Sequence, residues 1–362
     1  MKICVVVDNL DPSAGWGRLA SKIAEGFEDA GHEVVFITEK TPKSKKSNLV
    51  LTTPLRLSFA NLLRLPLTLF SIRNFIDNCD IVLCYDVNPN GIMLSLANFG
   101  GKRKIIIHAL ATYSIFGSKT PIRNVFMRWV YRKAKKTLVV SEFTKREIEK
   151  NGFRLDNSAI VPVGVDINYF HPNLHKERIL PQPYILTVAA FKHRKGHQYT
   201  LPAFGLISRD FPDLKYVIIG DKSMRSYYYE VEESIKRLNL QDRVLLLDKV
   251  NDDDLVRYYN SAELYVQISA TEAYTIEGFG IVYLEASACG IPTIGALNTG
   301  AESAIKDGKT GILVRQDPED IARAMRKILS DKEYAKQLGS NGIAWAAEFN
   351  WPKVVNAYLD NF

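Results

Sequence analysis

Two glutamates eight positions apart, Glu277 and Glu285, lie on either side of a predicted helix start. Gly278 and Gly280 permit an irregular backbone there, and the residues that follow predict a helix that Gly290 ends, with Glu285 about two turns inside it. The unpaired N–H groups of a first helical turn attract anions. We therefore expect a phosphate to bind between two carboxylates that accept hydrogen bonds from a polyol. The simpler alternative is a glycine-capped helix with one exposed charge.

The ten residues from 277 to 286 read E-G-F-G-I-V-Y-L-E-A. They resemble the donor site of glycosyltransferase family 4, which carries the pattern E-x-F-G-x-x-x-x-E-A. The resemblance implies that Glu277 holds hydroxyl groups of the transferred sugar during catalysis and that Glu285 holds the ribose of a nucleotide. It also implies that backbone amides stabilise the departing diphosphate, namely those of Gly278, Phe279, Gly280 and Ile281.

Three cations, Lys192, Arg194 and Lys195, follow a predicted strand in the second half of the chain. Cations in this position would neutralise a diphosphate and stabilise it as a leaving group. Family 4 sequences commonly carry Gly-Arg-Leu-x-x-x-Lys-Gly here, and alignment on Lys195 places Ala190 where the family has arginine. We predict that Lys195 is the catalytic phosphate cation. Arg194 or Lys192 could take over part of the role of the missing arginine, and we select Arg194 for it. The alternative is that turnover is slow.

A glycine-containing loop, with Gly15, Trp16 and Gly17, joins the first predicted strand to the first predicted helix. Together with Ala20 it could be interpreted as a dinucleotide-binding fingerprint, but about six residues separate it from Asp8, whereas that fingerprint needs a tight turn directly after the strand. The resemblance to family 4 instead implies that this loop approaches the donor phosphates and the acceptor.

Three further residues are placed at the ends of predicted strands. His108 ends an apolar run at the carboxyl edge of a sheet, where open α/β sheets bind ligands, and the family resemblance implies that it contacts the sugar in catalysis. Gly220 and Val250 match family positions that border the nucleotide.

Apolar runs of strand length alternate with helical segments along the whole chain, which predicts an α/β protein with doubly wound parallel sheets. The predicted strands span residues 2–8, 33–38, 81–85, 104–108, 137–140, 158–161, 184–189, 216–220, 244–247, 264–268, 292–295 and 311–314. A linker over 170–183 separates two Rossmann-like domains, 1–175 for the acceptor and 176–344 for the nucleotide-sugar. The resemblance implies the GT-B arrangement, with an interdomain cleft and a helix over 345–362 that crosses back to the first domain.

The composition of the 362 residues, with 46% hydrophobic and 24% charged, is typical of globular domains. No apolar run reaches the roughly 18 residues of a membrane span, and the N-terminus lacks the plan of a signal peptide, so we expect a cytoplasmic protein.

The six His and four Cys show no metal-ligand spacing. Asp252-Asp253-Asp254 fits the acidic first turn of a helix better than a metal site. We expect no metal, and no cofactor apart from the donor substrate.

Positive charge is concentrated in the first half of the chain. Residues 1–175 hold 24 Lys and Arg against 15 acidic residues, whereas residues 176–362 hold 23 against 25. Most of the excess precedes Glu142 and comprises Lys102, Arg103, Lys104, Lys119, Arg123, Arg128, Arg132, Lys133, Lys135 and Lys136. The cluster suits an anionic membrane surface or an acidic acceptor, and a solvated helix face is the alternative. Residues 55–76, apolar with three arginines and no acid, suit a helix pair on lipid. No nucleic-acid-binding module accompanies the cluster.

The resemblance extends over essentially the whole chain and implies a retaining glycosyltransferase. We predict transfer of a hexose from a UDP- or GDP-sugar to a glycan or lipid-linked acceptor in cell-surface polysaccharide or glycolipid synthesis, at the inner face of the plasma membrane. Two alternatives remain open: a nucleotide-sugar-binding partner subunit without turnover, which Ala190 motivates, and an NAD-dependent oxidoreductase. The sequence leaves the base, the sugar and the acceptor undetermined.

Overall fold

The computed structural model describes residues 1–11, 15–40, 50–55, 63–101, 103–118, 120–173, 178–272 and 275–362. The chain divides into two compact units. The first comprises Met1–Gly164 together with Trp351–Phe362, and the second comprises Val165–Asn350.

The boundary between the units differs from the predicted one at 175. The N–H of Val165 donates to the carbonyl of Phe349 at 2.8 Å, and Val165 forms a parallel bridge with Asn350. These backbone contacts place the residues after Gly164 in the second unit. The returning segment begins at Trp351 rather than at 345, because the preceding helix continues to Ala346 within the second unit.

Seven parallel strands form the sheet in the described part of the first unit, in the order β3-β2-β1-β4-β5-β6-β7. They are β1 (Lys2–Val6), β2 (Glu33–Thr38), β3 (Val50–Thr52), β4 (Ile81–Tyr85), β5 (Lys104–Ala109), β6 (Lys136–Val139) and β7 (Ser158–Ile160). The helices are α1 (Gly15–Asp29), α2 (Leu65–Ile76), α3 (Ile92–Ala97), α4 (Pro121–Lys133), α5 (Glu142–Lys150) and, after the second unit, α13 (Trp351–Leu359). Central strands such as β4 are buried along their whole length, which explains their uninterrupted apolar sequences.

The second unit contains a six-stranded parallel sheet across its described residues, in the order β10-β9-β8-β11-β12-β13. Its strands are β8 (Tyr184–Val188), β9 (Lys215–Ile219), β10 (Val244–Leu247), β11 (Leu264–Val266), β12 (Thr293–Ala296) and β13 (Gly311–Val314). Its helices are α6 (His197–Ile207), α7 (Arg225–Arg237), α8 (Asp252–Ser261), α9 (Ile281–Ala288), α10 (Ala301–Ala304), α11 (Pro318–Ser330) and α12 (Lys332–Ala346).

The structure confirms the two doubly wound parallel sheets, and the predicted strands agree with the observed ones to within two residues at either end. Strand β3, at the edge of the first sheet, was not predicted. Of the predicted helix pair over 55–76, the structure shows α2, and residues 56–62 lie outside the described part. No helix in the described ranges is both long enough and apolar enough to cross a membrane.

Candidate functional site

The candidate site of the second unit lies where the strand order of its sheet reverses. From β8 the chain proceeds outward to β9 and β10, and it then returns to place β11 on the other side of β8. The loops that leave the carboxyl ends of β8 and β11 therefore diverge, and open α/β sheets bind ligands in the crevice that results. Arg194 and Lys195 follow β8, and Glu277 follows β11.

Glu277 forms ion pairs with Arg194 and Lys195, which joins the loop after β11 to the loop after β8. Its Oε2 accepts from Nη1 of Arg194 at 2.6 Å and from Nζ of Lys195 at 2.5 Å. The side chains of Glu277, Lys195 and Arg194 are 12%, 13% and 26% exposed, so the cluster is largely shielded from water but not sealed from it. The structure thus brings Glu277 to two neighbouring cations that lie more than 80 positions earlier in the sequence.

The charges of this cluster determine its chemistry. Burial lowers the pKa of Lys195, and the neighbouring Arg194 adds to the effect while Glu277 opposes it. Burial by itself would raise the pKa of Glu277, but the charges of Lys195 and Arg194 outweigh it and lower that pKa. Glu277 is therefore a carboxylate, and with both cations charged the cluster carries one net positive charge, which favours an anionic ligand.

Backbone hydrogen bonds fix the loops that carry these side chains. The N–H of Ala270 donates to the carbonyl of Arg194 at 2.8 Å, which ties the loop after β11 to the loop after β8. The N–H of Gly300 donates to the carbonyl of Glu277 at 2.9 Å, which ties the carboxylate to the turn before α10. The site is thereby formed by backbone geometry as well as by its charges.

The predicted helix after Glu277 is confirmed as α9. Gly280 is its N-cap with φ 84°, a left-handed conformation that glycine adopts without strain. Glu285 is the fifth residue of the helix, so it lies just over one turn inside rather than the two turns predicted. Ile281 is half-buried in the first turn, and Gly278 is buried in the loop before it.

Glu285 is mostly buried, and its Oε2 accepts a hydrogen bond from the hydroxyl of Tyr259 at 2.8 Å. Tyr259 lies on α8 and was not predicted to take part. Burial and the charge of Glu285 raise the pKa of Tyr259 well above its usual value, so the phenol keeps its proton and remains a donor. Its position two residues before the end of α8 gave no sequence signal for this contact.

The side chain of Phe279 packs in the core of the second unit, separately from the diphosphate contact predicted for its backbone amide. Its ring packs on Phe349 with a centroid distance of 5.6 Å, and the side chain is 5% exposed. The aromatic ring of this motif therefore belongs to the core of the second unit. Only the backbone amide of Phe279 is available for the predicted diphosphate contact.

Gly220 and Val250 lie at the carboxyl ends of β9 and β10, as predicted. The N–H of Gly220 donates to the carbonyl of Leu247 at 3.1 Å, and Val250 is half-buried directly before the N-cap of α8. The acidic residues 252–254 form the first turn of α8, with Asn251 as N-cap, which confirms the helix-start interpretation of that run.

In the first unit, the residues of the glycine loop begin α1. The helix starts at Gly15, so Gly15, Trp16 and Gly17 form its first turn rather than the preceding loop. A side chain at Gly17 would overlap the carbonyl oxygen of Asp11, so the close approach of α1 to the segment after β1 requires glycine there. The side chain of Trp16 and residues 12–14 lie outside the described part of the chain.

His108 lies at the carboxyl end of β5, as predicted, but its side chain is not exposed at that edge. It is fully buried and forms two hydrogen bonds inside the first unit. Its Nε2–H donates to the carbonyl of Val161 at 3.0 Å, and its Nδ1 accepts from the hydroxyl of Tyr358 at 2.6 Å. Burial lowers the pKa of His108 to about 3, so the ring is neutral. In this structure both ring nitrogens are occupied, and His108 links β5 to α13 instead of being presented to a sugar.

The basic residues of α4 differ in whether the fold engages their side chains. Arg128 donates to Oδ1 of Asn124 at 2.6 Å and to the carbonyl of Gly152 at 2.5 Å, so it belongs to the fold. Arg132 and Lys133 are exposed at the end of α4. Lys102 and Lys119 lie outside the described part.

Two family models match the chain over nearly its whole length. Residues 14–169 match Glycosyltransferase Family 4, and residues 173–345 match Glycosyl transferases group 1. A GDP-mannose-dependent alpha-(1-6)-phosphatidylinositol monomannoside mannosyltransferase of Mycolicibacterium smegmatis is 26% identical over 73% of this chain and 70% of its own length. A D-inositol 3-phosphate glycosyltransferase of Paenarthrobacter aurescens is 29% identical over 58% of this chain, and the match spans only about half, 52%, of that relative.

The same fold occurs in an Anabaena protein crystallised in complex with UDP and glucose. That structure superposes with a TM-score of 0.83 at 18% identity and covers 100% of this chain and 99% of its own. The likeness confirms the GT-B fold. The matches of both halves to the family models identify the chain as an enzyme of glycosyltransferase family 4.

Proposed function

We propose that this glycosyltransferase moves a hexose from a UDP- or GDP-sugar to a glycan or lipid-linked acceptor, with retention of anomeric configuration, in the synthesis of cell-surface polysaccharide or glycolipid. The observation that carries the proposal is the Glu277–Arg194–Lys195 cluster at the switch point of the second sheet. A nucleoside diphosphate is the anion that such a partly buried, net positive site suits.

In this proposal Lys195 and Arg194 stabilise the negative charge that develops on the diphosphate as the glycosidic bond to the sugar breaks. The amides at the start of α9 add to that stabilisation. Glu277 holds sugar hydroxyls, since a carboxylate whose pKa is lowered by two cations accepts hydrogen bonds but is a weak proton acceptor. Arg194, which contacts Glu277 directly, supplies the guanidinium that Ala190 lacks.

Because Glu277 is a weak proton acceptor, another group must take the proton of the acceptor hydroxyl. No residue of the described second-unit site is an evident covalent nucleophile, and Glu277 is already engaged by two cations. We infer that the departing phosphate oxygen takes the acceptor hydroxyl's proton while the new bond forms on the same face of the sugar. This route gives retention without a covalent intermediate.

The names of relatives support the donor class without fixing the base. One relative is named as GDP-mannose-dependent, and the Anabaena structure holds UDP with glucose. A panel of UDP-, GDP- and ADP-sugars, with NADH beside it, tests the proposal. Binding is followed by titration calorimetry, and turnover with candidate acceptors is followed by release of the nucleoside diphosphate. Binding with release of the diphosphate supports a transferase. Binding without release points to a non-catalytic partner subunit, and binding of NADH alone points to an oxidoreductase.

Glu285→Gln should weaken nucleotide-sugar binding by roughly ten-fold or more while turnover at saturation changes little. A ribose contact acts equally in the ground and transition states, and a hydrogen bond to a charged group contributes about 1.5–3 kcal/mol. Tyr259→Phe removes the hydroxyl that orients Glu285 at 2.8 Å and should produce a smaller change in the same direction. The two parameters are separated by steady-state kinetics. A fall in kcat with unchanged KM in Glu285→Gln would place this residue at the reacting centre instead.

We also propose that the first unit binds anionic membrane surfaces through exposed basic residues of α4. Replacing Arg132 and Lys133 together by Gln should weaken binding to anionic vesicles by about 2 kcal/mol, roughly thirty-fold, since each such residue contributes about 1 kcal/mol. Arg128 is excluded because its guanidinium is bound within the fold.

Co-sedimentation with anionic and neutral vesicles at low and high salt measures this effect. The matched control replaces two exposed lysines of α12, Lys332 and Lys336, by Gln. Equal loss in both double variants would indicate a general charge effect. Absence of wild-type binding to anionic vesicles at low salt would mean that the basic cluster is a solvated face.

A further inference from the structure

A cavity of about 370 Å³ in the first unit lies beside the carboxyl ends of β4 and β5. This is the edge at which parallel α/β sheets bind ligands, and the volume lies within the about 300–1,000 Å³ of small-molecule sites. The cavity is lined by residues from the loops after the two strands and from α3 and α4, namely Asn88, Pro89, Ile92, Tyr113, Phe116, Ile122, Arg123 and Phe126.

The walls of the cavity are held by contacts between these loops. Nδ2 of Asn88 donates to the carbonyl of Phe116 at 3.0 Å, which joins the loop after β4 to the loop after β5. The buried Asp86 accepts from the N–H of Leu110 at 3.1 Å and from the hydroxyl of Ser114 at 2.7 Å. The loops after β4 and β5 are therefore joined by hydrogen bonds at Asn88 and at Asp86, and the cavity is a formed feature of the unit.

The lining is apolar and aromatic except for Asn88 and Arg123. Three lining residues remain exposed to water: Ile122 by 70%, Phe116 by 40% and Tyr113 by 39%. Arg123 is exposed next to them and forms no ion pair within the described residues. Helix α4 itself contains basic residues but no acid. An apolar cavity with a cation at its mouth fits a ligand that joins an apolar chain to an anionic group.

We propose that this cavity binds the apolar chain of an anionic lipid acceptor, with Arg123 at the phosphate that joins the chain to the acceptor's head group. This proposal rests on the proposed function, because a lipid bound here is an acceptor only if the protein is a transferase. It also narrows that function, since it selects a lipid-linked acceptor over a free glycan. A free glycan would leave the walls formed by Ile122, Phe116 and Phe126 without an apolar partner.

The test uses lysophosphatidic acid below its micellar concentration, with binding to the intact protein followed by titration calorimetry. Lysophosphatidylcholine presents the same chain without net charge, and glycerol 3-phosphate presents the phosphate without the chain. We expect binding in the order lysophosphatidic acid, then lysophosphatidylcholine, with none for glycerol 3-phosphate. Ile122→Asn and Arg123→Gln should each weaken binding of lysophosphatidic acid by roughly ten-fold.

Each variant has a matched control. Val125, 65% exposed, is as accessible as Ile122 on the same helix but does not line the cavity. Arg209, exposed after α6 in the second unit, is the control for Arg123. Val125→Asn and Arg209→Gln should leave binding of the monomeric lipid within about two-fold. Equal losses in Ile122→Asn and Val125→Asn would mean that lipid contacts the helix surface and would overturn the proposal, as would binding of glycerol 3-phosphate alone.

Nucleotide-sugar binding is measured on the same samples. Retained donor binding with no lysolipid binding would reject the cavity while leaving the proposed function intact. Lysolipid binding without binding of any nucleotide-sugar and without release of a nucleoside diphosphate would reject the function and leave a lipid-binding unit.

Discussion

Lys195→Ala is expected to lower kcat by about 10²–10³, the scale for removing one group that stabilises developing charge in a transition state. Nζ of Lys195 lies 2.5 Å from Oε2 of Glu277, and its side chain is 13% exposed, so a diphosphate that enters the site meets this charge in a partly desolvated position. Its effect on catalysis should therefore exceed that of a surface cation. The measurement is the rate of sugar transfer at saturating donor.

The control for this variant is Lys215→Ala. Lys215 begins β9, at the opposite end of the sheet, and its Nζ binds the carbonyl of Asp242. This variant should retain wild-type turnover. The combination of Lys195→Ala with Arg194→Ala should lose less than the product of the two single losses, because both cations contact one carboxylate and act on one leaving group. Wild-type activity in Lys195→Ala would move the phosphate site elsewhere.

Glu277→Gln should affect both stability and turnover. The substitution keeps the shape of the side chain but leaves two cations without a carboxylate, and breaking a buried ion pair costs about 3–5 kcal/mol. Because Arg194 is 26% exposed and water screens it in part, we expect about 3 kcal/mol or less, measured as the free energy of unfolding in denaturant. Turnover should fall because the sugar hydroxyls lose an acceptor that strengthens as charge develops.

Two additional measurements separate this interpretation from simple misfolding. Inorganic diphosphate should raise the melting temperature of Glu277→Gln more than that of the wild type, since it restores a partner to both cations. The native pKa of Glu277 is lowered, so its contribution to stability is present above the usual carboxyl pKa near 4.3 and is lost as the pH falls through the lower native value. The variant should lack this part of the acid dependence. An unchanged unfolding free energy together with unchanged kcat would contradict the assignment.

The local sequence predicted the strands and the start of α9 because these features depend on neighbouring residues. Buried parallel strands such as β4 and β8 require continuous apolar runs, and Gly280 supplies a left-handed conformation at a helix start. Each of these patterns involves residues that are adjacent in the sequence, so it can be recognised without knowledge of the fold. The motif at 277–286 likewise contains its two glutamates at a spacing that one loop and one helix fix.

Contacts between distant segments were decided by the tertiary structure alone. Lys195 and Glu277 meet because β8 and β11 are neighbours at the point where strand order reverses, and no local pattern specifies that neighbour. The hydroxyl of Tyr259 reaches Glu285 for the same reason, through the packing of α8 on α9.

His108 illustrates the limit most directly. The sequence placed it correctly at the carboxyl end of a strand, but it could not show that Tyr358, 250 positions later, occupies its second ring nitrogen. The sequence alone thus determined the two α/β sheets, the family resemblance and the residue types available for donor chemistry. Only the tertiary structure decided which of those side chains lie within hydrogen-bonding distance of one another and which are buried in the core, because both depend on segments that are remote in the chain but adjacent in space.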